Sequence, residues 1–232
     1  TSWSDSKSLE LSAGGRIDHC LTQSPFSYLV DQLHSLHPGD LEKQLGFIRA
    51  ALYARVVETP GPAVGRSRQG CGPEEQPLES DELRQEALKI GCQLRDQAIQ
   101  APDGSITWIA LAFQPRAQRY QLQPMGYDLY SGTGGIGLFL AALKHISGEV
   151  EWRTLALGAV AEVREKLAEM HLEGADQLTD LPLGGGIGLG SVVYALVCMS
   201  ELLEEEDLLA DADLAARLIS KDSISADREF DV

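Results

Sequence analysis

Residues 126–143 read GYDLYSGTGGIGLFLAAL, with four glycines in the six positions 132–137 and a largely apolar run after them. A glycine cluster before a helix is typical either of a phosphate-binding loop or of a tightly packed helix start. A P-loop requires Gly-Lys followed by Ser or Thr, which is absent here. A dinucleotide fingerprint follows a buried strand, whereas Pro124 and Gly126 interrupt the preceding residues. We therefore predict an architectural role, in which glycine permits positive φ and a close approach of neighbouring helices.

The same pattern returns further along the chain. Residues 188–196, GLGSVVYAL, align with residues 132–140, GTGGIGLFL, and an amphipathic segment lies between the two. We call the shift that carries Gly132 onto Gly188 the repeat offset. A repeat of about 50 residues, each an apolar helix entered through glycines plus an amphipathic helix, is typical of stacked helical hairpins. Because helices that are apolar all round must be enclosed by others, the sequence predicts an all-α fold, with inner and outer helices arranged as an α/α toroid.

Apolar periodicity places the individual helices. The predicted helices cover residues 40–56 (with Asp40 as N-cap), 82–100, 136–146, 151–170 and 202–218. Residues 102–126 are expected to be irregular, with a short extended stretch at ITWIALAF. The acidic run EEED at 204–207 is expected on the outward side of the last helix. Pro, Gly and charged residues fill 58–80, which is predicted to be a linker.

Composition excludes several classes of function. The formal net charge is −16, with 19 basic and 35 acidic residues, and such a charge repels nucleic acids and anionic membrane surfaces. No run of about 18 apolar residues predicts a membrane span. The four cysteines are widely spaced, without a CxxC pair, which suits a reducing cytosol. Because the chain lacks an initiator Met and ends at REFDV, we expect it to be an excerpt of a longer polypeptide.

Several segments resemble one family. DLYSGTGGIGLFLAAL resembles the D-L-Y-x-G-x-x-G-I-A-L-F-L signature of the cyclase domain in class II lanthipeptide synthetases, the LanM enzymes. DLEKQLGFIRAAL is similar to the segment that closes the dehydratase domain of these enzymes. EALKIGCQLRDQAI, followed by DGSITWIAL, resembles the start of the LanC-like cyclase. ISADREFDV resembles the stretch leading into the D-[IV]-x-G-G-x-A-G motif of the family.

The resemblance implies a domain organisation and a chemistry. Residues 1–57 would be the C-terminal part of a dehydratase domain, 58–80 a linker, and 81–232 the N-terminal half of a LanC-like domain. The fold would then be an incomplete α/α toroid preceded by a small helical segment from another domain. Such cytoplasmic enzymes dehydrate Ser and Thr of a precursor peptide with ATP and magnesium. The cyclase then adds Cys thiols to the dehydro residues, using zinc to activate the thiol.

The resemblance also suggests site residues. Asp231 occupies the position of an active-site Asp thought to assist proton transfer; the alternative is a helix N-cap or a chain end. Asp128 holds the same place in the first repeat, where capping of the inner helix is favoured. Nothing in the chain matches the Cys and His zinc ligands of the family, so this chain alone is expected to be inactive. His19-Cys20 is the nearest approach and is interpreted as a surface pair.

Two other functions remain open from the sequence. The chain could be a catalytically inactive remnant that binds precursor peptide. It could instead be an α/α toroid glycosidase, which would require paired inward carboxylates and aromatic platforms. Aromatic residues make up only 6% of the chain, which disfavours the glycosidase.

Overall fold

The computed structural model describes residues 5–10, 14–58, 79–114, 119–173 and 181–227. By its internal contacts the chain divides into two units, Thr1–Val56 and Val57–Val232. The described residues contain eight helices and six short strands. Most of them lie in helices, as predicted. None of the described helices is long and apolar enough to span a membrane. The sequence-based domain boundaries at 57 and 80 stay predictions.

The first unit contains two short strands and two helices. β1 (Leu9–Glu10) pairs antiparallel with β2 (Arg16–Ile17). α1 (Pro25–Ser35) begins after Ser24, whose hydroxyl accepts the N–H of Ser27 at 3.1 Å, and it was not predicted. α2 (Pro38–Glu58) confirms the helix predicted over 40–56.

Two details of α2 differ from the prediction. Asp40 lies inside the first turn, and its carboxylate accepts the N–H of His37 at 2.8 Å, so it is not the N-cap. The apolar stripe of α2 is not buried, because the side chains of Leu41, Ile48 and Leu52 are more than half exposed. Periodicity thus predicted the helix correctly, but no partner within the described residues covers its apolar face.

From residue 79 onward, the described part of the second unit begins with a helix and two β-hairpins. α3 (Ser80–Gln97) is followed by β3 (Ile99–Gln100) and β4 (Ile106–Thr107), which pair with each other. β5 (Ile109–Gln114) pairs antiparallel with β6 (Arg119–Pro124) in the register Ile109 to Pro124. The expectation that 102–126 is irregular was therefore wrong apart from the extended stretch at ITWIALAF, and the fold is not purely α-helical.

Four helices build the core of the second unit. α4 (Thr133–Ser147) packs on α5 (Val150–Glu173), and α6 (Leu189–Leu203) packs on α7 (Asp207–Arg217). The two hairpins lie side by side, with α4 against α6 and α5 against α7. A short α8 (Lys221–Ala226) follows. Fully buried side chains such as Leu140, Leu196 and Met199 of α4 and α6 fill the space between the helices. This arrangement matches the predicted stacking of helical hairpins, whereas the toroid stays a prediction.

The repeat holds at the level of single residues. α4 and α6 each have 15 residues, and the repeat offset carries both bounds of α4 onto those of α6. Both helices end in a left-handed residue, Gly148 with φ 75° and Glu204 with φ 59°. The capping N–H of each donates to an equivalent carbonyl, that of Lys144 or Ser200. The offset read from the glycines therefore extends through a complete helix and its C-cap.

Two helix predictions need correction. The predicted helix 202–218 is split, because α6 continues to Leu203 and α7 begins at Asp207. Glu204, Glu205 and Glu206 consequently lie in the turn between two helices and not on the face of one, and Asp207 begins α7. The apolar periodicity of α3 predicts one inward face formed by Leu83, Ala87, Ile90, Leu94 and Ala98. Leu83 and Ile90 are exposed, but Ala87, Leu94 and Ala98 pack against the core. Gly91 is buried, and a methyl group added to it would lie 2.4 Å from Leu143 Cδ2. Apolar side chains of α3 and a close approach of its backbone at Gly91 therefore both contribute to its packing.

Candidate functional site

Two glycine-containing loops lie at the N-terminal ends of α4 and α6. We call residues 126–132 the first glycine loop and residues 182–188 the second. Gly126 O accepts the N–H of Thr133 at 2.7 Å, and Pro182 O accepts the N–H of Leu189 at 2.8 Å. These two bonds are related by the repeat offset. In each hairpin the loop folds back over the start of its own helix and satisfies a first-turn N–H that would otherwise lack a partner.

The two loops are joined to each other. Tyr130 N donates to Gly186 O at 3.1 Å, and these residues hold equivalent positions in the two loops. Ser191, at 0% exposure, accepts the N–H of Leu129 at 3.2 Å and donates its hydroxyl to Gly188 O at 2.6 Å. This buried hydroxyl thus uses both its acceptor and its donor, and it links the loops. The sequence analysis missed Ser191, although it occupies the repeat position of Gly135.

The glycines are required by the loops that precede the helices. A methyl group on Gly132 would lie 2.4 Å from Asp128 N, and one on Gly135 would lie 2.1 Å from Leu129 O. On Gly188, which has φ +117°, it would lie 1.9 Å from Pro182 O. Neighbouring helices approach closely at Gly137, where Met199 Sδ would be at 3.2 Å. The predicted architectural role of the glycines fits this geometry. The prediction was a close approach between neighbouring helices, whereas most of these glycines accommodate the loop that precedes their own helix.

The backbone amides at the start of α6 are not free to bind a phosphate. The amides of Leu189, Gly190, Ser191 and Val192 all donate to backbone carbonyls of residues 182–188. A phosphate-binding loop works because such amides are free to point at the ligand. The first turn of α6 is therefore already capped by protein atoms.

Asp128 does not cap α4 as predicted. The N-cap residue is Gly132, which makes no side-chain cap bond. Asp128 Oδ1 instead accepts the N–H of Ser131 at 2.6 Å, and both carboxylate oxygens lie 3.2 Å from the Ser131 hydroxyl. The carboxylate shapes the loop just before its end, as Asp commonly does in turns. Its side chain remains partly accessible to solvent.

Next to Asp128, a charged cluster anchors the first glycine loop to α5. Tyr127 donates its hydroxyl to Glu162 Oε1 at 2.6 Å, and Lys166 Nζ donates to the same oxygen at 2.8 Å and to the Tyr127 hydroxyl. The ammonium of Lys166 also lies 4.7 Å from the centroid of the Tyr127 ring. A hydrogen bond and a cation–π contact therefore fix the same tyrosine.

The pKa values of this cluster move as these contacts require. The hydrogen bond from Lys166 lowers the pKa of Glu162, because it stabilises the carboxylate. Burial and the bond to Glu162 raise the pKa of Tyr127. Burial opposes the charge on Lys166, but the bonds to Glu162 and Tyr127 outweigh it and raise the pKa of its ammonium. At neutral pH the cluster is a neutral tyrosine between a carboxylate and an ammonium.

The remaining predicted site residues lie elsewhere. Asp231 falls outside the described residues. Cys20 is exposed and donates its thiol to Lys7 O at 3.5 Å, and His19 has φ 54°. Among the described side chains, no group of three His, Cys, Asp or Glu is close enough together to hold a metal ion. Cys92 is partly buried and packs against the core.

The glycine loops lead into the apolar helices α4 and α6, which pack side by side, and α5 and α7 pack against them. This arrangement is that of a repeated helical-hairpin protein. Comparison with protein families matches residues 123–232 to the family described as Lanthionine synthetase C-like protein. The match covers both glycine loops and the helices α4 to α8, slightly less than half of the chain. No curated protein matches the chain.

Proposed function

We propose that the second unit belongs to the cyclase part of a lanthionine synthetase. Such a cyclase adds the cysteine thiols of a precursor peptide to its dehydrated Ser and Thr residues and so forms thioether rings. The observation that carries the proposal is the LanC-like match over 123–232, which covers the two joined glycine loops. A reducing, cytoplasmic setting would keep the reacting thiols free.

The glycine loops are the surface that we assign to the peptide. Tyr130 is 83% exposed although its backbone is fixed by the bond to Gly186, and Ile187 of the second loop is 41% exposed. A rigid aromatic side chain contacts a peptide at a low cost in conformational entropy. Asp128, with its accessible carboxylate, lies on the same loop as Tyr130. We assign proton transfer to Asp231 on the strength of its resemblance to the family motif.

Zinc is implied by the family, but the described residues do not fit it. They bring no three metal-binding side chains together. We therefore derive no step through a metal ion, and expect this chain to bind peptide without closing rings by itself.

We extend the proposal to the first unit by resemblance alone. Residues 1–57 would close a dehydratase domain, whose reaction consumes ATP with magnesium. The helix α2 contains the segment DLEKQLGFIRAAL that carries this resemblance. The complete enzyme would then be bifunctional, as class II lanthipeptide synthetases are.

Binding of a dehydrated peptide to the full chain tests the proposal. A fluorescein-labelled peptide with one dehydroalanine and one Cys is titrated, and ring closure is followed as loss of the thiol available to N-ethylmaleimide. We expect saturable binding, weakened about tenfold by Tyr130→Ala because an exposed aromatic contact is lost. Tyr28→Ala, at a tyrosine 57% exposed on α1, is the matched control and should leave the affinity unchanged.

The possible outcomes separate the candidate functions. Binding without ring closure supports a peptide-binding role for this chain, whereas ring closure or stoichiometric zinc would contradict the inferred lack of metal ligands. If no dehydrated peptide binds above background, the assignment of the glycine loops is wrong. Hydrolysis of an oligosaccharide would point instead to the glycosidase.

A further inference from the structure

The contacts of Tyr127 with α5 occur in the first hairpin but not at the equivalent positions of the second. We call Tyr127, Glu162 and Lys166 the anchor cluster, because their side chains are joined by hydrogen bonds. The repeat offset carries these three residues onto Leu183, Leu218 and Asp222. The second hairpin therefore lacks both the hydroxyl and the carboxylate on which the cluster is built.

The backbone at the start of the cluster is nevertheless the same in the two hairpins. A methyl group on Gly134 would lie 2.6 Å from Tyr127 O. A methyl group on Gly190, the repeat equivalent of Gly134, would lie 2.9 Å from Leu183 O. Each loop thus lies against the first turn of its own helix at the same place. Because the second loop makes this contact with a leucine, the packing of the loop does not require the anchor cluster.

The first glycine loop also carries polar and aromatic side chains where the second has glycine. Asp128 corresponds to Gly184, and Tyr130 corresponds to Gly186. The side chains that we assign to the peptide therefore occur in the same copy of the repeat as the anchor cluster, within three residues of Tyr127. Residue types that depart from a repeated pattern in one copy point to a role of that copy alone.

Two elements hold Tyr127 in place. Its carbonyl lies against the first turn of α4, and its side chain bonds to α5. Glu162 and Lys166 are four residues apart on α5, so the helix keeps their charged groups next to each other. The Tyr127 hydroxyl donates to the carboxylate of Glu162 and accepts from the ammonium of Lys166. A tyrosine bound in this way has both its ring and its hydroxyl fixed.

We propose that Tyr127, fixed by Glu162 and Lys166, is a positioning residue that holds Tyr130 where it contacts the precursor peptide. At the other end of the same short stretch, the Tyr130 amide donates to Gly186 O, so both ends are tied to the helical hairpins. A loop that is ordered before the peptide arrives does not subtract its ordering from the free energy of binding. The inference rests on the proposed function, because it takes the first glycine loop as the peptide surface.

Peptide affinity of the full chain tests the inference. A fluorescein-labelled peptide with one dehydroalanine and one Cys is titrated, and binding is followed by fluorescence anisotropy. Tyr127→Phe keeps the ring and its contact with Lys166 but removes the hydroxyl, and should weaken binding about fivefold, the effect of one net hydrogen bond. Glu162→Ala removes the shared acceptor and should weaken binding equally. The double variant should bind no more weakly than either single variant, because both substitutions break the same bond.

Asp213→Ala is the matched control. Asp213 pairs with Arg217 four residues along α7, as Glu162 does with Lys166 along α5, and the two carboxylates are 59% and 51% exposed. Its removal changes the net charge by the same amount and should alter the affinity less than about twofold. Circular dichroism confirms that each variant is folded.

Two further measurements separate positioning from stability. In amide NMR spectra of the full chain, the Tyr130 resonance should shift in Tyr127→Phe and in Glu162→Ala but not in Asp213→Ala. Lys166→Met should weaken binding about fivefold, whereas Lys166→Arg should keep the affinity within about twofold, because it retains the cation over the ring.

The outcomes distinguish this inference from the proposed function. If the wild-type chain binds no peptide, the proposed function fails and the positioning role fails with it. If the wild type binds and the Tyr127 and Glu162 variants bind as tightly, only the positioning role is wrong. An equal loss in Asp213→Ala would show that the affinity follows net charge. A loss of affinity without any shift of the Tyr130 resonance would also overturn the inference, because the loop would then not have moved.

Discussion

Replacing Gly188 by Ala tests the role assigned to the glycine loops. The methyl group would meet Pro182 O at 1.9 Å, and the residue would have to keep φ +117°. An unfavourable backbone conformation costs about 1–3 kcal/mol, and overpacking about 1–3 kcal/mol more. The free energy of unfolding should thus fall by roughly 2–6 kcal/mol, and Tm by roughly 5–20 °C for a unit of this size.

Gly148→Ala is the matched control for this prediction. Gly148 also has positive φ, at 75°, but nothing lies within 4 Å of an added methyl group. Its repeat equivalent, Glu204, adopts the same left-handed conformation with a full side chain. The control should therefore lose only about 1 kcal/mol. Urea unfolding followed by far-UV circular dichroism compares the two, and equal midpoints would refute the steric argument.

Three further predictions concern the second unit. Ser191→Ala should destabilise it by about 1–3 kcal/mol because the Leu129 amide loses its buried acceptor; hydrogen exchange at that amide should accelerate, and unchanged exchange would contradict the link between the loops. Met199→Ala should cost about 2–5 kcal/mol in urea unfolding, since a fully buried side chain next to Gly137 is lost. Glu162→Gln should cost less than about 1 kcal/mol at pH 7, because the carboxylate is about half exposed. Because the pKa of Glu162 is lowered in the folded state, its contribution to stability is fully present above the usual pKa of 4.5. That contribution is lost as the pH falls through the lowered pKa of the folded state. The Tm values of the variant and the wild type should therefore converge in acid.

Part of the site could be predicted from the sequence and part could not. The glycine spacing located both loops and gave the repeat offset, since a repeated local backbone needs the same residue types in each copy. Ser191 was missed because its partner Leu129 becomes a neighbour only when the hairpins pack. The prediction that Asp128 caps α4 was wrong for a similar reason. The loop folds back so that Gly132 is the N-cap residue, and Asp128 accepts the amide of Ser131 instead.

The sequence by itself determined the helices of the first hairpin and the repeat of the glycine-entered helix, because apolar periodicity and glycine placement are local properties of the chain. The division between α6 and α7 was not predicted. Tertiary structure decided what the glycines accommodate, which is chiefly the returning loop backbone at Gly135 and Gly188. It also decided the pairing of Ile109–Gln114 with Arg119–Pro124, and which face of α3 is buried. These features depend on how separate segments of the chain come together, and only packing fixes the distances between them.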